Sequence, residues 1–546
     1  MKQNYFKTLL LFTILIGSSL HSQNTVGALL NTANSFNGYS LFTINKETYL
    51  INNCGEVINQ WTSAFSSGKS VYLLENGNLL RAAQIDNPGN IAIPGVGGRI
   101  ELFDWAGTLL WSFDFTTPTR IQHHDIFPMP NGNILVLGAA LLTDTEAIQM
   151  GRNPENLTST TFYDEHIVEL EPTGTNTANV IWEWNFKDHL IQDFDNTKDN
   201  FGIVSQNPQK LDINFLGISN GGANWLHVNS LQYNAQLDQI VLSSRHMSEI
   251  YIIDHSTTTS EASTSSGGTY GKGGDFLYRW GNPQTYKQGT TGDQKLFGQH
   301  YPHWIEPGLN DAGKILLYNN GLNRTPQFSQ IDIIDPPATV SGFYDYTTNT
   351  AYGPSTTDYT YTATVNTDFF SAILSSAQRL PNGNTLICEG TSGRFFEIDA
   401  SNNIVWDYVN PVHSSGIMTQ GDDPDTFSNN TFRVTSYSPQ YAAFSGRTLT
   451  PGSPIELNPN LSNCTVLDVG KLTLNEIKIF PNPVSEILSI QSAENITLIE
   501  IFNPLGKMVK RIENKKSINI SNLSSGFYIV KAYASDKVTT KKVIKI

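Results

Sequence analysis

Cysteine is scarce in this chain: Cys54, Cys388 and Cys464 are the three in 546 residues. A fold resting on a disulfide framework is excluded, although one bridge plus one free thiol stays open. None of the three sits in a metal-ligand spacing. Charge is also thin, at 15% of residues, and the balance is acidic, with a formal net charge of −15. An acidic body argues against nucleic acid as a partner. No long segment carries a 3.6-residue apolar period, which excludes a helical bundle. Past the N-terminus, no stretch approaches the ~20 apolar residues that cross a membrane as a helix.

The N-terminus itself pairs a charged start, Met1-Lys2 to Lys7, with an apolar stretch, Thr8 to Leu20, and small residues after it. This pattern predicts a secretory signal peptide over residues 1–22, cut near Ser22-Gln23. A membrane anchor is the alternative, but the apolar stretch is short for a span. The processed chain is expected not to span a membrane.

Glycine and proline are plentiful, 43 and 25 residues, as are Ser, Thr and Asn. That composition suits many short strands joined by turns. One unit recurs: Glu75-Asn-Gly-Asn-Leu-Leu80, Pro130-Asn-Gly-Asn-Ile-Leu135 and Pro381-Asn-Gly-Asn-Thr-Leu386. Asn-Gly is a hairpin signal because both central positions of the favoured turn need positive φ. A second unit is an apolar strand, a turn, and a strand carrying Trp. Examples are Ile100 to Trp111, Phe395 to Trp406, Ile167 leading to Trp182 and Trp184, and Ile250 leading to Trp280. Hairpins alternating at this scale predict an all-β fold: a six-bladed β-propeller over residues 30–455, with five to seven blades allowed. A pair of β-sandwiches is the alternative. The Trp and Asn-Gly positions are read as packing and turn residues, not ligand contacts. Asp193 to Asp199 is loosely spaced like a calcium loop but lacks its glycine and closing Glu.

A linker over 456–471 precedes a module over 472–546 of opposite charge. From Lys471 onward the net charge is +6, leaving −21 on the rest. Its strands and turns predict a small antiparallel sandwich of about seven strands. Ile477-Lys-Ile-Phe-Pro481-Asn-Pro483, Ile501-Phe-Asn-Pro-Leu-Gly506, Leu523-Ser-Ser-Gly526-Phe-Tyr-Ile-Val530 and the terminal Lys541-Lys-Val-Ile-Lys-Ile546 come in order. Together they resemble the type A C-terminal sorting domain of type IX secretion cargo. The resemblance implies a Bacteroidetes-type protein, engagement of the type IX machinery, removal of the tail, and a secreted or cell-surface destination. A carbohydrate-binding sandwich is the bland alternative, but the tail shows no aromatic platform.

Four short strings hold the chemistry: His123-His124-Asp125, His227-Val-Asn229-Ser230, Ser244-Arg245-His246 and Gly298-Gln299-His300. Imidazole serves as nucleophile or acid/base near neutral pH. A guanidinium binds a tetrahedral oxyanion with a forked donor set. His227 and Arg245 fall at the two ends of one expected hairpin, so they can point the same way. Residues at one end of several blades converge on a propeller channel, where pockets form.

In this order and spacing, His123-His124-Asp125 before Pro130-Asn-Gly-Asn133, Trp225-Leu-His227-Val-Asn-Ser230, Ser243-Ser-Arg245-His246 and Phe297-Gly-Gln-His300 are similar to the bacterial arylsulfate sulfotransferase family. The resemblance spans roughly Ser40 to Thr450 and includes Thr431-Phe-Arg433. It implies a six-bladed propeller that moves a sulfuryl group from an aryl sulfate donor to a phenolic acceptor, without phosphoadenosine phosphosulfate and with no cofactor or metal. By this similarity His300 is the nucleophile that forms a sulfohistidine. His227 and His124 are acid/base groups and sulfuryl-oxygen ligands, and Arg245 is the oxyanion clamp. His123, Asn229 and Arg433 are expected to bind substrate. His123 competes with His124 for its role, and His303 with His300. The family's N-terminal sandwich domain and close cysteine pair have no counterpart here. Two other readings remain: a non-catalytic propeller binding a glycan or protein, and a metal-dependent hydrolase or lyase using His123, His124, His227 and His300.

Overall fold

Runs such as Gln239-Ile-Val-Leu242 leave no polar face, and the architecture shows why. In the computed structural model, which describes residues 24–464, 478–491, 495–504, 507–534 and 537–546, most sheets of the first unit are covered on both sides. The expected signal peptide and residues 465–471 of the expected linker lie outside the described residues. The chain divides into two units, Met1–Thr465 and Val466–Ile546. The fold is all-β, with only two short α-helices, Asp144–Gln149 and Thr259–Ala262, among the described residues.

Six antiparallel sheets of four or five strands make up most of the first unit, as in a β-propeller. Their first strands pack side by side in sequence. Ser67–Leu73 lies between Tyr39–Ile44 and Arg120–Pro128, then come Val228–Asn234 and His300–Trp304, with Ser376–Arg379 after them. Both chain ends close the ring. Thr435–Tyr437 becomes the first strand of the sheet that Tyr39–Ile44 continues, and Gly27–Asn31 is added to the last sheet beside Ile404–Val409. Gln378 then exchanges hydrogen bonds with the Ser436 backbone, 3.0 and 2.8 Å, joining the last sheet to the first.

Period-two alternation turns neighbouring residues to opposite faces, so each sheet feeds two cores. Ile240 and Leu242 pack with Leu137 and Trp184 of the preceding sheet, while Val241 packs with Ile315 and Leu317 of the following one. Leu316 and Leu317 divide in the same way. At several of the six seams a tryptophan adds a directional bond. Trp61 donates to the carbonyl of Asp104 (2.8 Å), Trp111 to that of Thr177 (3.0 Å), Trp280 to that of Pro354 (2.9 Å) and Trp406 to that of Asn53 (2.8 Å). Each acceptor lies in or beside the next sheet, so a buried indole loses no hydrogen bond.

The Asn-Gly-Asn turns differ from expectation. Only the glycines are left-handed, with φ of 89° at Gly77, 90° at Gly132 and 90° at Gly383. The Gly132 N–H donates to the Met129 carbonyl (3.0 Å) and the Met129 N–H to the Asn133 carbonyl (2.8 Å). This is a longer turn ending in a glycine bulge, which frees the asparagine side chains. Asn131 and Asn133 both donate to Glu169, and Asn382 and Asn384 to Glu397. In both sheets the turn is tied to a glutamate two strands on.

In the second unit, Lys478–Phe480, Ile487–Gln491 and Ser517–Asn519 form one antiparallel sheet. Met508–Glu513, Ile496–Phe502, Gly526–Ala534 and Lys537–Lys545 form another. Leu488, Ile490, Ile499, Ile501 and Val530 join them in one core, giving a seven-stranded sandwich.

His255 clasps two sheets of the first unit. Its Nδ1 meets Asp238 at 2.6 Å and its Nε2 meets Glu169 at 3.0 Å. Burial alone would lower its proton affinity, but the two carboxylates outweigh it and raise the pKa to about 9. The folded value lies above the unfolded one, so this contribution is complete below pH ~6.5 and is lost as pH rises through about 9. The protein is therefore expected to exceed its His255→Gln variant in stability by about 2 kcal/mol near pH 6. That gap should close by pH ~10, as read by thermal unfolding across pH. A gap that does not change with pH would contradict the charged clasp.

Candidate functional site

Five of the six first strands carry a left-handed, non-glycine residue at or beside the same level of the ring. These are Lys69 (φ 103°), His124 (51°), His227 (48°), Tyr301 (52°) and the pair Leu374 (60°) and Ser375 (88°). The ladders shift register there, between Ser67 and Val71, Gln122 and Ile126, Val228 and Ser230, and His300 and His303. A bulge re-aims side chains that a regular strand would send into a sheet face. Each left-handed non-glycine residue costs on the order of 1 kcal/mol, a strain characteristic of sites.

The bulges bring the imidazoles together. The ring centroids of His124 and His227 are 4.9 Å apart, those of His227 and His246 4.7 Å, and those of His123 and His124 5.2 Å. The Nδ1 atoms of His123 and His124 share a hydrogen bond at 2.8 Å. Arg245 donates its backbone N–H to the His227 carbonyl (3.1 Å), so the two ends of the hairpin meet as expected. Arg245 and His300 both lie close enough to disfavour a proton on His124 and His227. His303 lies apart, its ring against Tyr301 at 4.5 Å.

Asparagines meet Nδ1 of both His300 and His227, and the one at His300 fixes a tautomer. Asn320 Nδ2 donates to the carbonyls of Ser371 (2.7 Å) and Leu374 (3.1 Å), which fixes its Oδ1 toward His300 Nδ1 at 2.7 Å. Nδ1 of His300 is therefore the protonated nitrogen, and Nε2 keeps a lone pair. That lone pair accepts only a long bond from the Leu374 N–H, at 3.2 Å. At His227, the Asn224 amide meets Nδ1 at 2.9 Å. His124 is seated by Gly95, whose carbonyl accepts the His124 N–H at 2.8 Å. A Cβ on Gly95 would lie 2.6 Å from the ring's Cε1 and Nε2.

The charges are unbalanced. Arg245 and Lys69 have no carboxylate partner among the described residues, and burial lowers the pKa of both. Lys69 acts on His124. Glu165 accepts the Val228 N–H at 2.6 Å, and burial pushes its pKa well above the usual carboxyl range. Arg433, by contrast, is spoken for: Nη2 pairs with Asp125 Oδ2 at 2.8 Å, and its guanidinium lies 3.8 Å over the Tyr301 ring. Asn229 is fully buried and donates to the Gln299 carbonyl (2.8 Å), while its Oδ1 has no partner. It therefore braces the residue before His300. Among the described residues no three His, Cys, Asp or Glu side chains group as ligands for one metal ion.

The sequence marked His123, His124, His227, Asn229, Arg245, His300 and Arg433. It missed Lys69, Gly95, Asn224, Asn320 and Leu374. No motif flags them, because each acts through a neighbour that only the fold supplies. Beside the imidazoles a polar cleft of about 530 Å³ is lined by Ser159, Thr161, Tyr163, Asn224 and His246 among others. Asn224 and His246 thus belong both to the cleft and to the surroundings of His227.

Burial pushes His123 and His300 down to about 3 and His246 to about 4. Burial first, then neighbouring imidazoles and the Lys69 and Arg245 charges, hold His124 and His227 well below the ordinary value. The site thus presents neutral imidazoles between two cations without a carboxylate partner among the described residues. In an NMR titration their ring signals are expected to stay unshifted from about pH 8 to pH 5. A midpoint near 6.5 at any of the five would contradict this environment.

The model of the arylsulfotransferase (ASST) family matches residues 21–424, and that of the secretion system C-terminal sorting domain matches 478–546. The second match identifies the tail as a type IX sorting domain, which directs export to the cell surface or secretion. No curated protein matches the chain. Solved structures resemble it loosely. A protein of unknown function from Bacteroides caccae is 10% identical, with 73% of this chain and 98% of that one covered and a TM-score of 0.38. A putative 6-phosphogluconolactonase from Bacteroides fragilis is 10% identical over 74% and 99%, at 0.35. A periplasmic gluconolactonase from Pseudomonas aeruginosa is 9% identical over 68% and 96%, at 0.34.

Proposed function

Because the chain belongs to the arylsulfotransferase family, we propose that this exported protein moves a sulfuryl group from an aryl sulfate to a phenol through a sulfohistidine on His300. The observation that carries the reading is the His300 tautomer. A proton locked on Nδ1 by Asn320 leaves Nε2 as a neutral nucleophile that needs no base.

In this mechanism Nε2 attacks sulfur, the N–S bond forms, and the S–O bond to the aryl group breaks. Positive charge develops on the His300 ring, where Asn320 Oδ1 accepts the Nδ1–H and stabilises it. Arg245 and Lys69 hold the sulfuryl oxygens as a clamp with no carboxylate competing for them. The Leu374 N–H, already aimed at Nε2, meets the same oxygens once the bond has formed. A bound sulfate ester raises the proton affinity of His124 and His227. One of them then takes up a proton and delivers it to the departing phenolate. The acceptor phenol enters along the polar cleft, gives its proton back to that imidazole, and attacks the sulfohistidine. The sum is ping-pong transfer with no net change in protons and no phosphoadenosine phosphosulfate. His123 holds His124 through the shared Nδ1 bond, Asn229 braces the backbone ahead of His300, and Arg433 holds Asp125 and Tyr301 around the pocket.

The test mixes the chain with a chromogenic aryl sulfate, with and without phenol and with a chelator. Release is expected to need the acceptor and to ignore the chelator. It should fall by about 10³-fold or more in His300→Ala and about 10²–10³-fold in Arg245→Ala. Asn320→Ala should cut kcat about 10–100-fold in the protein that still folds, because His300 then samples the wrong tautomer. Acceptor-independent release abolished by the chelator would point to a metal hydrolase instead. No release from several donors would point to a binding propeller.

A further inference from the structure

Cys54 and Cys464 are 410 positions apart in sequence yet adjacent in the first unit. The Cys54 Sγ lies 3.7 Å from the Cys464 carbonyl, and the two side chains are hydrogen-bonded to each other. Both thiols are partly exposed, whereas Cys388 is fully buried.

Each cysteine sits on a short, well-anchored turn. The Cys54 N–H donates to Asn52 Oδ1 at 2.9 Å, and the same oxygen accepts from the Glu56 N–H at 3.1 Å. Cys464 ends a 3₁₀ turn, Leu461–Asn463, and its N–H donates to the Leu461 carbonyl at 2.9 Å. That turn is held to the chain's other end: Asn463 donates to the Leu29 carbonyl at 2.9 Å, and Asn24 to the Asn460 carbonyl at 2.8 Å. Between Thr435–Tyr437 and Cys464 the chain makes no further β-strand, and its helical turns there are the 3₁₀ turns Ala442–Phe444 and Leu461–Asn463. The end of the first unit therefore has no extended sheet ladder and is held by isolated backbone bridges, Glu56 with Pro454 and Thr419 with Leu457, and by side-chain contacts.

We infer that Cys54 and Cys464 form a disulfide after export, fastening the C-terminal end of the propeller unit to its first sheet. The sorting domain sends the chain to an oxidising compartment, where such pairs persist. The reaction needs an oxidant, which is a protein or small-molecule disulfide. The Cys54 thiolate attacks one sulfur of that disulfide and expels the other as a thiolate. Cys464, having lost its proton, then attacks Cys54 Sγ and expels the second thiolate. Two electrons pass to the oxidant, and the two protons released are taken up by its thiolates. Cys54 is the better first attacker: the Cys464 side chain donates to it and lowers its pKa, while Cys464 itself is raised. Cys388 stays reduced, because burial pushes its thiol up and keeps oxidants out.

The test takes the full chain, purified reduced, into a glutathione redox buffer set to the poise of an oxidising compartment. Thiols are then alkylated after denaturation, and the peptides are mapped by mass spectrometry. The expected result is two thiols lost and one retained, with Cys54 linked to Cys464 and Cys388 alkylated. Limited proteolysis of the segment after Tyr437 should be about tenfold faster in the reduced protein. Cys464→Ser should match the reduced protein whether or not oxidant is present. Three alkylated thiols, glutathione left on Cys54, or a link between two chains would overturn the proposal. So would a cleavage rate indifferent to oxidation. Reduced and oxidised wild-type samples carry the comparison even if a cysteine variant folds poorly.

Discussion

Closure of the ring is the constraint on which everything else in the first unit rests. A sheet buried on both faces has no solvent side to fall back on. Each seam must therefore find a partner, including the seam between the last sheet and the first. The chain meets this by lending a strand from each end. Thr435–Tyr437 enters the first sheet and Gly27–Asn31 the last, so that each of these sheets is built from both ends of the unit. The seam between them is filled by Phe42, Tyr49, Phe395, Trp406 and Tyr408. A ring closed in this way holds its interior strands at a fixed spacing, and the site needs that rigidity.

What the ring supplies is a level at which several strands bulge together. A regular strand would bury His124 and His227 against a sheet face or turn them away from each other. The left-handed residues turn them inward instead, and neighbouring bonds hold them there: Gly95 on His124, Arg245 on the His227 carbonyl, and Asn229 on the stretch before His300. The strain is local and small beside the stability of six packed seams.

The electrostatics follow from the same burial. Water is largely excluded, so the imidazoles are neutral, and their roles are decided by which nitrogen carries the proton. Asn320 makes that choice at His300. Arg433 and Asp125 neutralise each other, whereas Arg245 and Lys69 remain uncompensated. A pocket of this kind favours an anion and, once the anion is bound, favours a proton beside it. That sequence of events is what group transfer from a sulfate ester requires.

Much of this was legible in the sequence. Period-two apolar runs, turn residues and recurring Trp implied an all-β propeller, because burial of both strand faces leaves its pattern in each strand separately. The sorting tail was legible for a related reason: its motifs are local strings of turn and strand residues. The four histidine strings and Arg245 stood out because imidazole and guanidinium are rare and chemically specific. The remaining site residues were not legible. Gly95, Asn224, Asn320 and Leu374 are ordinary residues that act through a contact with a histidine, and Lys69 gained meaning only when a bulge turned it toward His124. The pairing of Cys54 with Cys464, 410 positions apart, is of the same kind. Composition and periodicity are properties of short segments, so the sequence alone determined the fold class and the chemistry available. Tautomer, countercharge and proximity are relations between segments far apart in the chain. Only the closed ring, which fixes those distances, could decide them.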